Sequence, residues 1–208
     1  ISAQRTSTTG GPVPFGGWIL STEKMDQVLW TRGHRARVQA GLILGAFQDQ
    51  LEANGLSFPP DPTSRYECTI GAAIACNASG ARSFRFGPTR DWIEAIEVVL
   101  PNGEVMEIDR EKPIPPQWPR CQWIAPPVKT AAGYLDSGKL IDLFIGQEGT
   151  LGVITEATLR LTEAPEHRFS LVSFFEELDS CLAFVERLRK EGKNSLVSPS
   201  CIEFFGPQ

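Results

Sequence analysis

Gly146-Gln147-Glu148-Gly149-Thr150-Leu151-Gly152 runs directly into Val153-Ile154-Thr155-Glu156-Ala157-Thr158-Leu159-Arg160-Leu161. The first part reads as a loop of small residues and the second as a strand. Two more stretches of the first kind lie upstream: Thr6-Ser7-Thr8-Thr9-Gly10-Gly11 with its continuation to Gly17, and Thr69-Ile70-Gly71 through Asn77-Ala78-Ser79-Gly80. Small residues let backbone N–H groups come close to a bulky ligand. Successive N–H groups in such loops form anion-binding nests suited to a diphosphate. Any one of these loops read singly is a plain turn. Three of them, each bordering a predicted strand, point to a large phosphate-bearing cofactor. None is a GxGxxG fingerprint followed by an acidic residue about 20 positions later, and no GxxxxGK[ST] loop occurs. Spacing therefore supports a cofactor-binding α/β domain and goes no further.

Between the loops, Trp18–Ser21 and Arg37–Ala40 read as short strands. Leu44, Phe47 and Leu51 sit at helical spacing, which predicts a helix from Leu44 to Asn54 ended by Gly55. Ala95–Leu100 and Glu104–Ile108 flank Pro101-Asn102-Gly103, a strong hairpin signal. Residues 112–128 hold six prolines and two tryptophans and read as an irregular excursion. Leu140–Ile145 is apolar and strand-like. Beyond Pro165 the texture changes, with a strand expected at Phe169–Phe174 and an amphipathic helix at Glu177–Glu191 followed by Gly192. A boundary near residue 165 gives two units, 1–165 and 166–208.

The bulk properties exclude several classes. With 41% apolar and 22% charged residues, the 208-residue chain has the composition of a soluble globular protein with a sizeable core. A net charge of −5 leaves no basic footprint for nucleic acid or an anionic membrane surface. No stretch approaches the roughly 20 apolar residues of a membrane span. The five cysteines are scattered, with no CxxC pair, and an odd count fits reduced thiols in the cytoplasm. Peripheral membrane attachment is the alternative location. His34 and His167 lie far apart, so no metal site is expected. The opening residues resemble neither a signal peptide nor a domain start, and the sequence reads as a fragment or as a chain completed by a partner.

As strings, the loops resemble one family. Pro59-Pro60-Asp61-Pro62, the Thr69–Gly80 stretch and Phe86-Gly87-Pro88-Thr89-Arg90-Asp91 resemble the central block of the FAD-linked oxidases of the p-cresol methylhydroxylase/vanillyl-alcohol oxidase type. Gly146–Glu156 resembles their terminal block, usually written G-S-E-G-T-L-G-I-I-T-E. The nearest branch holds D-lactate dehydrogenases and glycolate oxidase FAD subunits. The resemblance implies an α+β fold in which two α/β subdomains hold FAD between them. The first subdomain reads as truncated at its N-terminus, and residues 166–208 read as the start of a cap domain.

It also implies site residues. Thr6, Ser7, Thr8, Thr9, Gly10 and Gly11 resemble the pyrophosphate loop, and Pro60 and Asp61 the turn along the flavin ring. Thr69, Ile70, Gly71, Ala75, Asn77 and Gly80 belong to the segment wrapping ring and ribityl chain. Glu148, Gly149, Gly152, Val153 and Ile154 lie at positions beside ribityl and adenine. Gly152 also reads as strand packing, Asp61 as a turn cap and Asn77 as bonding its own backbone. Lys129 and Tyr134 resemble a K-[NT]-x-x-G-Y stretch near the flavin, and Arg82 or Arg90 can meet a carboxylate; all four read more naturally as scaffold. The first loop has no histidine, and Cys68 is out of register with known cysteine links, so FAD is expected to be non-covalent.

The implied chemistry is hydride removal from the α-carbon of a 2-hydroxy acid to flavin N5, with a base taking the hydroxyl proton. No residue is assigned as that base. Two alternatives stay open: an FAD-holding subunit without turnover of its own in a larger assembly, and a redox-neutral relative of the alkylglycerone-phosphate synthase kind.

Overall fold

The computed structural model describes residues 1–7, 10–11, 13–120, 133–191 and 198–206. Strands β1 (Val28–Arg32), β2 (Arg35–Gln39), β3 (Leu56–Ser57), β4 (Ile93–Val99), β5 (Val105–Asp109), β6 (Val153–Arg160) and β7 (Thr162–Glu163) alternate with helices α1 (Leu44–Glu52), α2 (Ile70–Ala75), α3 (Ser83–Phe86), α4 (Leu140–Phe144) and α5 (Leu178–Glu191). Five strands form one antiparallel sheet in the order β1-β2-β6-β4-β5, and β3 pairs with β7. The architecture is α+β.

Strand β6, which follows the Gly146–Gly152 turn, is the centre of this sheet. With a register irregularity between Ile154 and Glu156, it puts Ile154, Ala157 and Leu159 on the buried side. Ala36 and Val38 of β2, Ile96 and Val98 of β4, and Ile108 of β5 complete the apolar face. Against it pack Leu44, Phe47 and Leu51 of α1, Ile70 and Ile74 of α2, and Leu140, Ile141 and Phe144 of α4. The other face is charged. There Arg37 reaches Glu107 at 2.6 Å and Glu156 at 2.8 Å, and Arg35 pairs with Glu94 at 2.7 Å. Hydrogen bonding to Glu107 raises the Arg37 guanidinium further above its already high value, against the effect of burial.

The predicted hairpin forms as β4 and β5, closed by Gly103 N–H to Leu100 O at 2.8 Å. The predicted first helix is α1, with Gly55 beyond its end at φ +73°. Residues 178–191 form the expected amphipathic helix.

Four expectations are corrected. Leu140–Ile145 is not a strand: Leu140–Phe144 is the helix α4. A short apolar run reads alike in either state when it is buried on every side, and residues 140–145 all are. The Thr69–Gly80 stretch is not a continuous loop, because its alanines favour helix and Thr69 caps Ala72 N–H at 3.2 Å, giving α2. Trp18–Ser21 forms no strand; only an isolated bridge joins Ser21 to Ser2, and Trp18 is fully exposed. Phe169–Phe174 also forms none, since no strand among the described residues pairs with it, and Phe169 and Phe174 stand in solvent. Strand β1 had no clear sequence signal, and the sequence reading passed over it.

Phe144 is fully buried and lies 6.1 Å from the Trp118 ring. Truncation at such a site removes transfer energy and leaves a cavity, so Phe144→Ala should cost about 3–5 kcal/mol in denaturant unfolding. A loss below about 1 kcal/mol would show that the site is not packed as described.

Candidate functional site

Two of the three small-residue stretches form one surface. Helix α2 ends at Cys76 and Asn77, the latter at φ +44°. Two of its last carbonyls accept from the Gly146–Gly152 turn: Gly146 N–H donates to Ile74 O at 3.0 Å and Glu148 N–H to Ala75 O at 2.9 Å. The segment Pro59–Pro62 joins the same surface through Gly80, where a Cβ atom would lie 1.6 Å from Asp61 O. Gly71 is as tightly set against Ala40, 2.6 Å from its Cβ. Glycine at these two positions is therefore a requirement of close approach.

Two buried glutamines hold the turns. Gln48 Nε2 donates to Phe58 O at 2.8 Å and Pro60 O at 2.7 Å, fixing the Pro59–Asp61 segment on α1. Gln147 Nε2 donates to Gly152 O at 3.0 Å, and its Oε1 accepts from Leu151 N–H at 2.7 Å. The Gly146–Gly152 turn is thus closed by its own second residue. Thr150 shares a 2.6 Å hydrogen bond with Tyr134 on its outer side.

Beneath the turn lies a buried charge cluster. The Arg90 guanidinium donates to Asp142 O at 2.7 Å, to Asp142 Oδ1 at 2.8 Å and to Ile145 O. Arg110 donates to the same Oδ1 at 2.8 Å and to Ile93 O at 2.7 Å, and Ser137 donates to Oδ2 at 2.6 Å. Burial pushes the Asp142 carboxyl up, but the hydrogen bonds from Ser137 and Arg90 and the two arginine charges outweigh it and hold the group below the ordinary carboxylate range. Burial lowers the Arg90 guanidinium, with Asp142 opposing. Burial also raises the neighbouring Asp91 carboxyl, against the pull of Arg110, Arg90 and Arg160.

The residues implied by the resemblance fall into three groups. Thr8 and Thr9, with Lys129, lie outside the described residues; Thr6 is half-buried, and Ser7, Gly10 and Gly11 are exposed. Several side chains are already engaged: Thr69 caps α2, Ile70 and Ile154 lie in the core, and Gly152 sits 2.8 Å (as a would-be Cβ) from Val99 O. Asn77 Oδ1 accepts from Arg90 N–H at 3.0 Å, and Asp61 pairs with Arg82 at 3.1 Å and Arg65 at 3.3 Å. Pro60 and Gly71 are buried; Ala75, Gly80, Gly149 and Val153 are half-buried, and Glu148 is exposed at φ +53°. Arg82 and Arg90, the candidate carboxylate binders, are thus both committed to acids of the chain itself. Cys68 is buried, and desolvation pushes its thiol up.

The sequence reading missed Gln48, Gln147, Asp142 and Arg110. Gln48 had a signal, a polar residue inside the apolar stripe Leu44, Phe47, Leu51. Asp142 had a weaker one, a charge inside an apolar run.

The surface suits a large flat cofactor. Its exposed or half-buried residues include the small Ala72, Ala75, Ala78 and Gly80, and Ser79 Oγ is buried without a hydrogen-bond partner among the described residues. An orphaned hydroxyl of this kind is costly unless something pairs with it.

Two outcomes are expected. Gly80→Ala should abolish soluble folded protein or lower Tm sharply, whereas Gly103→Ala, at φ +85° in open space, should cost about 1 kcal/mol. Equal effects in thermal melts would rule out the close approach. Asp142, with its folded pKa depressed, contributes stability above the ordinary carboxylate range that is lost as pH falls through the folded pKa. Asp142→Asn should therefore cost about 3 kcal/mol near neutrality, and the deficit should shrink as the pH falls below the ordinary carboxylate range. A deficit independent of pH in urea titrations would remove the ion pairs from the account.

Comparison with known proteins gives the family of the chain. The family described as FAD binding domain matches residues 1–109. D-lactate dehydrogenase of Anaerostipes hadrus is 34% identical over 207 residues, covering 98% of this chain and 38% of that protein. Glycolate oxidase subunit GlcD of Bacillus subtilis (strain 168) is 33% identical over 203 residues, covering 96% of this chain and 38% of that one. The solved structure of an alkyldihydroxyacetonephosphate synthase superimposes with a TM-score of 0.59 at 24% identity, over 79% of this chain and 27% of that one, a likeness of fold. The chain spans 38% of the length of these two sequence relatives.

Proposed function

Because the chain belongs to the FAD binding domain family, we propose that it is the flavin-holding part of an FAD-dependent oxidoreductase that dehydrogenates a 2-hydroxy acid of the D-lactate or glycolate kind. The 34% identity to D-lactate dehydrogenase over 98% of the chain carries this reading. The joined surface of α2, the Gly146–Gly152 turn and the Asp61–Gly80 contact supports it. FAD, when bound, supplies the two-electron acceptor for oxidation of the substrate's α-carbon.

The chain's own residues then have distinct tasks. Gln48 and the Asp61–Arg82 pair set the Pro60 turn along the flavin ring. The Asn77–Gly80 segment, with the Ser79 hydroxyl, follows the ribityl chain, and Glu148, Gly149 and Val153 border the ribityl and adenine end. Thr6 to Gly11, with hydroxyls and N–H groups and no cation, meet the pyrophosphate. Attachment is non-covalent, since no histidine lies in the first loop and the Cys68 thiol is buried. Residues 1–165 form the FAD-holding unit and 166–208 the first part of a unit that covers the substrate. With Arg82 and Arg90 committed to Asp61 and Asp142, the substrate's carboxylate is bound by other groups. A further subunit is a natural partner, as the name of the glycolate oxidase relative implies for that protein. The free cysteines Cys68, Cys76, Cys181 and Cys201 favour a reducing, cytoplasmic compartment.

Purified protein should show flavin absorbance that passes into the supernatant on acid precipitation. Anaerobic addition of D-lactate or glycolate should bleach it. Protein that stays colourless with added FAD would overturn the reading. Bound flavin that no 2-hydroxy acid reduces would leave an FAD-holding or redox-neutral protein.

A further inference from the structure

We propose that Arg90 is a positioning residue for the flavin, fixing the spacing of the two joined loops before the cofactor arrives. The inference rests on the reading that FAD lies along them.

Arg90 belongs to the 3-10 turn Thr89–Trp92, outside both loops, yet it is bonded to one of them and to the residues that lead into the other. Its backbone N–H donates to Asn77 Oδ1 at 3.0 Å, where α2 ends in a left-handed residue. Its guanidinium donates to Asp142 O inside α4 and to Ile145 O, the carbonyl directly before Gly146, and Nη2 would lie 3.6 Å from a Cβ at Gly146. One residue therefore grips the α2 loop by its main chain and, by its side chain, the end of α4 from which the Gly146 turn starts. Between the loops themselves run the bonds Gly146 N–H to Ile74 O and Glu148 N–H to Ala75 O.

The guanidinium is itself held. Asp142 Oδ1 accepts from both Arg90 and Arg110, Ser137 takes Oδ2, and Arg110 reaches back to Arg90 O. A planar fork fixed at three acceptors leaves the turn little freedom, and lysine, a single point donor, cannot reproduce it. A ligand that meets loops already ordered does not have to order them on binding. The arginine network on the opposite sheet face, Arg37 with Glu107 and Glu156, is a natural control: it is comparably charged and shielded, but touches neither loop.

The test uses the protein expressed from its intact gene, deflavinated, with Arg90→Met, Arg90→Lys and Arg37→Met compared with wild type. FAD Kd is read from fluorescence quenching, flavin geometry from visible circular dichroism, and stability from the Tm of the apoprotein. Both Arg90 variants should raise Kd by about tenfold or more and alter the visible spectrum, with Lys recovering a fraction. Arg37→Met should lower Tm and leave Kd and spectrum unchanged. Should Arg90→Met fail to fold, the charge-conserving Arg90→Lys decides. Wild-type Kd and spectrum in the Arg90 variants would overturn the inference, as would an equal rise in Kd for Arg37→Met. Wild-type protein that binds no FAD would overturn the functional reading, and this inference with it.

Discussion

Asp142 sits inside the helix that precedes the Gly146 turn, and two arginines and a serine converge on its carboxylate. A buried charge is costly unless it is paired and its remaining lone pairs are filled. Here the pairing partners arrive from elsewhere in the chain. Arg90 comes from the turn before β4, Arg110 from the end of β5 and Ser137 from the approach to α4. Satisfying one acid thereby binds the sheet to the helix and brings the Gly146 turn to the end of α2. The position of the candidate cofactor surface follows from that convergence.

Close approach is the second constraint. Gly71 lies against Ala40 and Gly80 against Asp61 O with no room for a Cβ. Segments that are remote in sequence therefore meet in close contact at these glycines. The glutamines Gln48 and Gln147 complement this arrangement, using buried amides to bond carbonyls that no helix or strand would otherwise satisfy. Rigidity here comes from polar groups with named partners more than from side-chain bulk.

The sheet divides the molecule into two chemically different sides. Its apolar face carries α1, α2 and α4, and with them the candidate site. Its other face carries the Arg37–Glu107–Glu156 network and Arg35–Glu94. At the C-terminal end, α5 keeps Leu178 and Leu182 exposed, and Phe169 and Phe174 stand in solvent.

Periodicity and turn chemistry are local, so the sequence by itself determined β6, the β4–β5 hairpin at Asn102-Gly103 and the existence of α1 and α5. Its loop strings, in matching order, also identified the FAD-linked oxidase family. Tertiary structure decided the rest. Leu140–Phe144 is buried on all sides, where an apolar run carries no period to read, and only the fold shows that it is a helix. Phe169–Phe174 reads as a strand and is not one, since a strand needs a partner for its backbone. Thr69 and Asn77 matched the family's ligand-binding stretch, yet their side chains cap a helix and bond Arg90 N–H. Which polar side chain faces a ligand and which holds the scaffold depends on partners distant in sequence, and only the folded chain brings those partners within hydrogen-bonding distance.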